Sequence, residues 1–371
     1  MSKPLISLVM IVKDEARGIR ATLESVKPWV DRWLVLDTGS TDGTQSIVRD
    51  VMEGVSGRLV EEPFVDFGAT RNRALELAGD ETVFTLMLSG DETVVGGDAL
   101  RVFCEARRAA MDGAYYVRVL LGQTVYDSAR LARTSAGWRY VGVTHEVLMK
   151  EGVDPPTERA AGVEVFHDLR HSDADSQRRR WLLDKKLLSV ELERNPARAR
   201  AAFYLAQTME CLGEHEEAHR AYAHRVALGG WTEEVYESLF RMARTAGAAN
   251  RPWPDVQQLY LDAHAHSPHR AEPLFAIAWH WYEAKNWPLT YLFASRGAAI
   301  PFPTQATLFV DRNVYETKLL DLVATSAIHV GELKTGNDAL VRLLQMTPSD
   351  ERLQRLRTHY GSESAVADRP S

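Results

Sequence analysis

The chain has 371 residues, 45% hydrophobic and 26% charged, an ordinary globular composition with length for two domains. Its formal net charge of −7 excludes a general nucleic-acid binder, because neutralising phosphates needs a basic face. Two cysteines, Cys104 and Cys211, lie far apart without metal or disulfide spacing, which fits a reducing, cytoplasmic setting. The first apolar run, Leu5 to Val12, is too short for a membrane span. Lys13-Asp14-Glu15 follows it at once, with no small-residue cleavage signature, so no signal peptide is read there. Its Ile and Val content predicts a strand buried on both faces. From Glu15 to Val26, the residues Ile19, Leu23 and Val26 share one helical face. Trp33 to Leu36 is a second strand. It ends in Asp37-Thr38-Gly39-Ser40-Thr41-Asp42-Gly43-Thr44, a loop of turn and capping residues before a helix through Ile47, Val48 and Val51. Arg58 to Glu61 reads as a strand, Thr70 to Leu77 as a helix and Val83 to Leu88 as another buried strand. This alternation predicts an α/β domain with a mostly parallel sheet and helices on its faces. Ligands of such sheets bind at the carboxyl ends of the strands, where the loops after Val12, Leu36 and Leu88 fall.

After about residue 175 the pattern is helical alone. Leu183, Leu187, Leu188 and Leu192 follow helical spacing until Asn195-Pro196 stops them. The basic run Arg178-Arg179-Arg180, with Lys185-Lys186 after it, reads as a solvated helix face. Ala202, Leu205, Ala206, Met209, Gly213, Ala218 and Tyr222 then match the helix-turn-helix unit of a tetratricopeptide repeat. Pro196 and Gly230 lie one repeat length apart, and Pro268 and Pro301 mark similar stops at uneven spacing, as in degenerate repeats. The expected domains are therefore 1–174 (α/β) and 175–360 (all-α repeats), with a polar tail at 361–371 expected to be disordered.

Ser7-Leu8-Val9-Met10-Ile11-Val12-Lys13-Asp14-Glu15, followed by the loop from Asp37 to Thr44, resembles the start of a family-2 glycosyltransferase. Phe67-Gly68-Ala69-Thr70-Arg71-Asn72, Leu88-Ser89-Gly90-Asp91-Glu92, His145-Glu146 and His167 follow in the family's order. The branch it looks like carries tetratricopeptide repeats after the transferase and includes peptide S-glycosyltransferases of bacteriocin pathways. Phe203-Tyr204-Leu205-Ala206-Gln207 and Gly229-Gly230-Trp231-Thr232-Glu233-Glu234 support that branch. The resemblance implies the GT-A nucleotide-diphospho-sugar transferase fold and an inverting, divalent-metal-dependent transfer from a nucleotide sugar, taken as a UDP-sugar.

Transfer of this kind needs a cradle for the nucleoside, neutralisation of the leaving diphosphate and a base for the acceptor. Asp14, Glu15, Asp37, Ser40 and Asp42, with Ser89 after the fourth strand, are the donor-binding candidates, because strand-end carboxylates can accept from a base or a ribose hydroxyl. Capping of the following helix is the alternative use of Asp42. Asp91, with Mn²⁺ or Mg²⁺ as the cofactor, is the expected metal ligand, and the resemblance assigns His167 to complete the site. Where such families commonly show Asp-x-Asp, this chain has Ser89-Gly90-Asp91, so the last carboxylate is kept and the first is replaced by a hydroxyl. His171 lies near enough in sequence to compete with His167. Arg71 is expected to meet the diphosphate, with an ion pair on its own helix as the alternative. Glu146 is the expected base, or else His145 is the base and Glu146 orients it.

A different class of function stays open: a degenerate transferase whose repeats bind a partner while the first domain is only a scaffold. Ser89 favours it, and the carboxylates gathered at strand ends weigh against it. A nucleotidyltransferase would want a Gly-rich loop ending in a basic residue after the first strand, and none is present. The repeats are expected to help select the acceptor, whether peptide, protein, glycan or small molecule, or to form a homodimer. Trp231, Trp253, Trp279, Trp281, Tyr282 and Trp287 are expected to serve mostly in packing.

Overall fold

The computed structural model describes residues 3–110, 112–153, 155–156, 158–167 and 174–367. They divide into two compact units, Met1–Leu212 and Gly213–Ser371. The change of sequence pattern near residue 175 precedes this boundary, because two helices, α5 (Ala174–Arg194) and α6 (Ala199–Cys211), group with the α/β part.

In the first unit the apolar runs form strands β1 (Ile6–Val12), β2 (Arg32–Asp37), β3 (Ser56–Glu61) and β4 (Phe84–Leu88). Helices α1 (Ile19–Val26), α2 (Thr44–Val51) and α3 (Phe67–Ala78) connect them. β1 lies between β2 and β4, and β2 carries β3 at the edge, all parallel. Past β4 the chain adds β5 (Glu92–Val95), helix α4 (Gly97–Ala106), β6 (Ala114–Leu121), β7 (Thr124–Arg133) and β10 (Arg159–His167), with a separate small pair β8 (Arg139–Val141) and β9 (Val147–Met149). β7 runs antiparallel to both β4 and β6, β10 is parallel to β6, and β5 is antiparallel to β10. The sheet is therefore parallel in its first half and mixed beyond it. The carboxyl ends of β1, β2 and β4 stand side by side, with Val12 in register with Asp37 and Met10 with Leu88.

Alternation along β1 decides which face receives which helix. Leu8 and Met10 pack with Ile19, Leu23 and Val26 of α1 and with Leu100 and Phe103 of α4. Val9 faces the other way, with Leu34, Leu36 and Met87, and is covered by Ala74 of α3 and by Trp138 and Tyr140. Burying these side chains on both faces removes them from water at about 25 cal/mol per Å² of apolar area.

Helix α3 also positions the loop before β9. Asp66 caps it by accepting from the Ala69 amide at 2.7 Å. Asn72 pairs with Tyr140 as a strand would, accepting from the Tyr140 amide and donating to its carbonyl, both at 2.8 Å. Gly68 lets the backbones meet, since a β-carbon there would stand 2.2 Å from the Gly142 carbonyl oxygen. Gly68→Ala is therefore expected to destabilise the protein by about 1–3 kcal/mol in urea unfolding, by forcing the 142–146 loop off the helix. An unchanged midpoint would show that the loop yields freely.

The second unit is helical: α7 (His215–Leu228), α8 (Thr232–Ala248), α9 (Trp253–His266), α10 (Glu272–Glu283), α11 (Trp287–Ala298), α12 (Leu319–Ser326), α13 (Leu333–Met346) and α14 (Glu351–Ala367). Consecutive helices pack on one another around small buried residues such as Ala278, Ala294 and Ala324. Two buried ion pairs tie turns between helices, Arg225–Glu234 at 2.7 Å and Arg270–Glu272 at 2.8 Å, and the Tyr236 and Tyr315 hydroxyls donate to Glu272. Trp253, Trp281 and Trp287 are half-buried, as packing aromatics should be, whereas Trp231 and Trp279 are 44% and 45% exposed. The last helix continues past Gly361 to Ala367, and 368–371 lie outside the described residues. No helix among the described residues is long and apolar enough to cross a membrane.

Candidate active site

The loops after β1 and β2 are laced together by their own polar side chains. The Asp14 amide donates to Ser40 Oγ at 2.9 Å, and Asp14 Oδ1 accepts from the Thr41 amide at 2.7 Å. This holds Asp14 at a positive φ of 55°. Asp42 is used up within the loops: Oδ2 accepts from the Ala16 amide at 2.8 Å and Oδ1 from the Thr44 amide and hydroxyl at 3.0 and 2.6 Å. Burial pushes its carboxyl up, but these bonds together outweigh it and hold it below the usual range. The residue at the start of α2 is Gly43, so Asp42 clamps the loops together rather than capping the helix.

Asp37 differs. It is fully buried at the end of β2. Its Oδ1 accepts from the Gly39 amide at 2.9 Å, the Ser40 amide at 2.8 Å and Gln45 Nε2 at 3.2 Å. Its Oδ2 is buried with no hydrogen-bond partner among the described residues. A buried oxygen left unpaired is costly, so this one calls for a partner.

At the end of β4, Asp91 Oδ2 lies 3.0 Å from Nε2 of His167, the last residue of β10. Burial pushes the Asp91 carboxyl up, but the hydrogen bond and charge of His167 outweigh it and hold it low. Burial likewise disfavours the imidazolium of His167, and Asp91 more than restores it. Among the described residues, His167 Nδ1 is buried without a partner. Glu15 approaches from β1, its side chain packed where a Gly90 β-carbon would stand, 2.6 Å from Glu15 Cγ. Burial, with Asp91 next, raises its pKa to about 7. Ser89 is half-buried, and its amide donates to Glu92 Oε2 at 2.8 Å.

Glu146 and Arg71 form an ion pair, with side chains only 9% and 11% exposed, and among the described residues Arg71 Nη1 is buried without a partner. To meet a diphosphate, Arg71 would have to share its guanidinium with Glu146. His145 lies at a positive φ of 49° with its ring stacked on Tyr204 at 4.0 Å. Burial, aided by the Arg180 and Arg200 charges, pushes its pKa far down, so the ring is neutral at pH 7. Its Nε2 is 3.9 Å from Asp184 rather than beside Glu146. The sequence candidates thus gather as three groups: Asp14, Ser40, Asp42 and Asp37 in the first loops; Glu15, Ser89, Asp91 and His167 beside them; and Arg71 with Glu146 on the α3 side. His171 lies outside the described residues.

Several contributors carried no signal strong enough to single them out. Gln45 completes the Asp37 bonding from a helix position that reads as solvent-facing. Arg130 Nη2 donates to Glu92 Oε1 at 2.6 Å, a buried pair joining β7 to the residue after Asp91. Nothing in a strand pattern reveals a partner 38 residues away. Asp184 of α5 accepts from Thr144 Oγ1 at 2.9 Å and so braces the loop that holds Glu146.

Residues 7–141 match the family model described as glycosyl transferase family 2. A TPR repeat-containing protein of Synechococcus elongatus is 38% identical over 147 residues, which cover 38% of this chain and 35% of that protein. The SPbeta prophage-derived glycosyltransferase SunS of Bacillus subtilis is 23% identical over 220 residues, covering 58% of this chain and 51% of SunS. The chain thus spans about a third to a half of the length of these curated relatives. The crystal structure of S. aureus TarS 1-349 in complex with UDP superimposes with a TM-score of 0.36 at 12% identity, covering 66% of this chain and 87% of that one.

Proposed function

We propose that this chain is a nucleotide-sugar-dependent glycosyltransferase that inverts the anomeric centre and takes a UDP-sugar as donor. The observation that carries the proposal is Asp37, a fully buried carboxylate with one oxygen held by the loop and the other unpaired at the end of the parallel strands. A nucleoside N–H or ribose hydroxyl donating to Oδ2 would satisfy it. The family match over residues 7–141 and the likeness to SunS support the same reading.

Asp91 and His167 suit Mn²⁺ or Mg²⁺, since a carboxylate oxygen and an imidazole nitrogen already converge 3.0 Å apart. Among the described residues no group of three or more His, Cys, Asp or Glu could hold a metal, so the remaining ligands would be diphosphate oxygens and water. Bound there, the ion would neutralise charge on the leaving diphosphate. Ser89, in place of a second carboxylate, lowers the negative charge around it.

Glu146 is the proposed base. The acceptor nucleophile forms a bond to the anomeric carbon and gives its proton to the Glu146 carboxylate. The bond from that carbon to the diphosphate oxygen breaks, and its electron pair leaves with the diphosphate. Arg71 holds Glu146 in place through their ion pair. The second unit is proposed to select the acceptor, and the exposed rings of Trp231 and Trp279 are available for contact. Cys104 and Cys211 form no disulfide, which supports a cytoplasmic location.

The test is nucleotide release from UDP-, GDP- and dTDP-sugars, with Mn²⁺ or with EDTA. Metal-dependent release that falls by about 10²-fold or more in Asp91→Ala is expected, because the ion supplies several kcal/mol to the leaving group. Release equal with EDTA and in the variant would remove the metal from the mechanism.

A further inference from the structure

Three guanidinium groups come close to the carboxylate-rich end of the sheet, and two of them are already paired in buried ion pairs. Arg71 holds Glu146, and Arg130 holds Glu92. The third is Arg180 of α5, for which the sequence suggested only a solvated helix face. It is exposed, and among the described residues no ion pair holds it. Its place is nevertheless fixed. Asp184 lies one turn further along the same helix face and accepts from Thr144 Oγ1 at 2.9 Å, which seats that face of α5 on the 142–146 loop. Arg180 Cζ stands 5.9 Å from the centre of the Phe67 ring, at the first residue of α3. From there its charge acts on Glu15 and Asp91 on one side and on His145 and Asp184 on the other.

We propose that Arg180 binds the diphosphate of the donor, beside Asp91, and steadies the charge that gathers on the leaving oxygen. This rests on the nucleotide-sugar reading of the site and deepens it. A planar guanidinium pairs two phosphate oxygens at once, and an arginine without a carboxylate partner is free to do so. Glu15, Asp91 and Asp42 would otherwise repel a diphosphate from this end of the sheet. Beside the metal proposed at Asp91, the guanidinium that answers them comes from the first helix after the sheet, not from the Arg71 of the α3 motif.

The experiment measures dissociation constants of UDP, GDP and dTDP, and of the nucleoside of whichever binds, by calorimetry. It uses the full chain, Arg180→Ala and Arg180→Lys, each checked by its melting temperature. The expected result is diphosphate binding about 10-fold or more weaker in Arg180→Ala. Nucleoside binding should be unchanged and Arg180→Lys intermediate. Diphosphate binding equal to wild type in Arg180→Ala overturns the proposal, and so does an equal loss for nucleoside and diphosphate, which would mean a structural role. Failure of the wild-type chain to bind any of the three diphosphates overturns the nucleotide-sugar reading itself, and Arg180 falls with it.

Discussion

Asp37→Asn is expected to weaken nucleoside and nucleoside diphosphate binding together, by about 1.5–3 kcal/mol or roughly 10- to 150-fold. The substitution is mild for the fold. The amide oxygen can keep accepting from Gly39, Ser40 and Gln45, which all meet Oδ1, while the NH₂ replaces the unpaired Oδ2. A donor then stands where the site offers an acceptor, so an incoming N–H or O–H meets a donor rather than a lone pair. Calorimetric titration of the variant reads this directly. Asp42→Asn is the contrast, since both Asp42 oxygens are satisfied inside the loops and its effect should fall on stability. Wild-type affinity in Asp37→Asn would mean that the buried oxygen faces no ligand.

Glu146→Gln should lower the rate of sugar transfer by about 10²- to 10⁴-fold while leaving donor binding intact. Glutamine keeps the shape and can still accept from Arg71 Nε, so the buried partner is not stranded. What is lost is the ability to take the acceptor's proton. His145 is the rival for that role, but it is stacked on Tyr204 and lies beside Asp184. A Glu146→Gln enzyme with normal turnover would pass the role to His145 or to another group. Single-turnover rates with saturating donor separate this from a change in affinity.

The first half of the fold was readable because each of its elements is local. Leu5 to Val12 and Val83 to Leu88 are apolar runs broken only by Ser7 and Thr85, and both form central strands. The loop from Asp37 to Thr44 advertises itself through its turn residues, and the resemblance built on it agrees with the family match over residues 7–141. The strands after Leu88 were less legible. β6 and β7 mix Tyr, Arg and Ser into half-buried positions, which blurs their alternation even though they pair across the two-residue turn Gly122-Gln123. The helical half was legible as helices, through Ala206, Ala218 and the proline and glycine stops. Its exposed tryptophans were not, because periodicity places an aromatic on a face without saying whether anything covers that face.

The candidate site divides in the same way. Asp14, Asp37, Asp42, Asp91 and His167 stand at strand ends, where an apolar run delivers them, so their placement follows from the run itself. What the carboxylates do does not follow: only the bonding separates Asp42, occupied on both oxygens, from Asp37, occupied on one. Arg71, Arg130 and Arg180 are equivalent as letters. Which one is free for a ligand is decided by partners 75 and 38 residues away for the first two.

The most direct measurement of the central claim is thermal unfolding of the wild-type chain with UDP, GDP and dTDP, each with Mn²⁺ or with EDTA. A ligand that binds only the native state stabilises it by about 2.7 kcal/mol at 100 times its Kd. One nucleoside diphosphate should raise Tm by several degrees, more with Mn²⁺ than with EDTA, and its sugar conjugate should do the same. No shift with any of the three at millimolar concentration would contradict a nucleotide-sugar site and leave the first unit as a scaffold for the helical repeats.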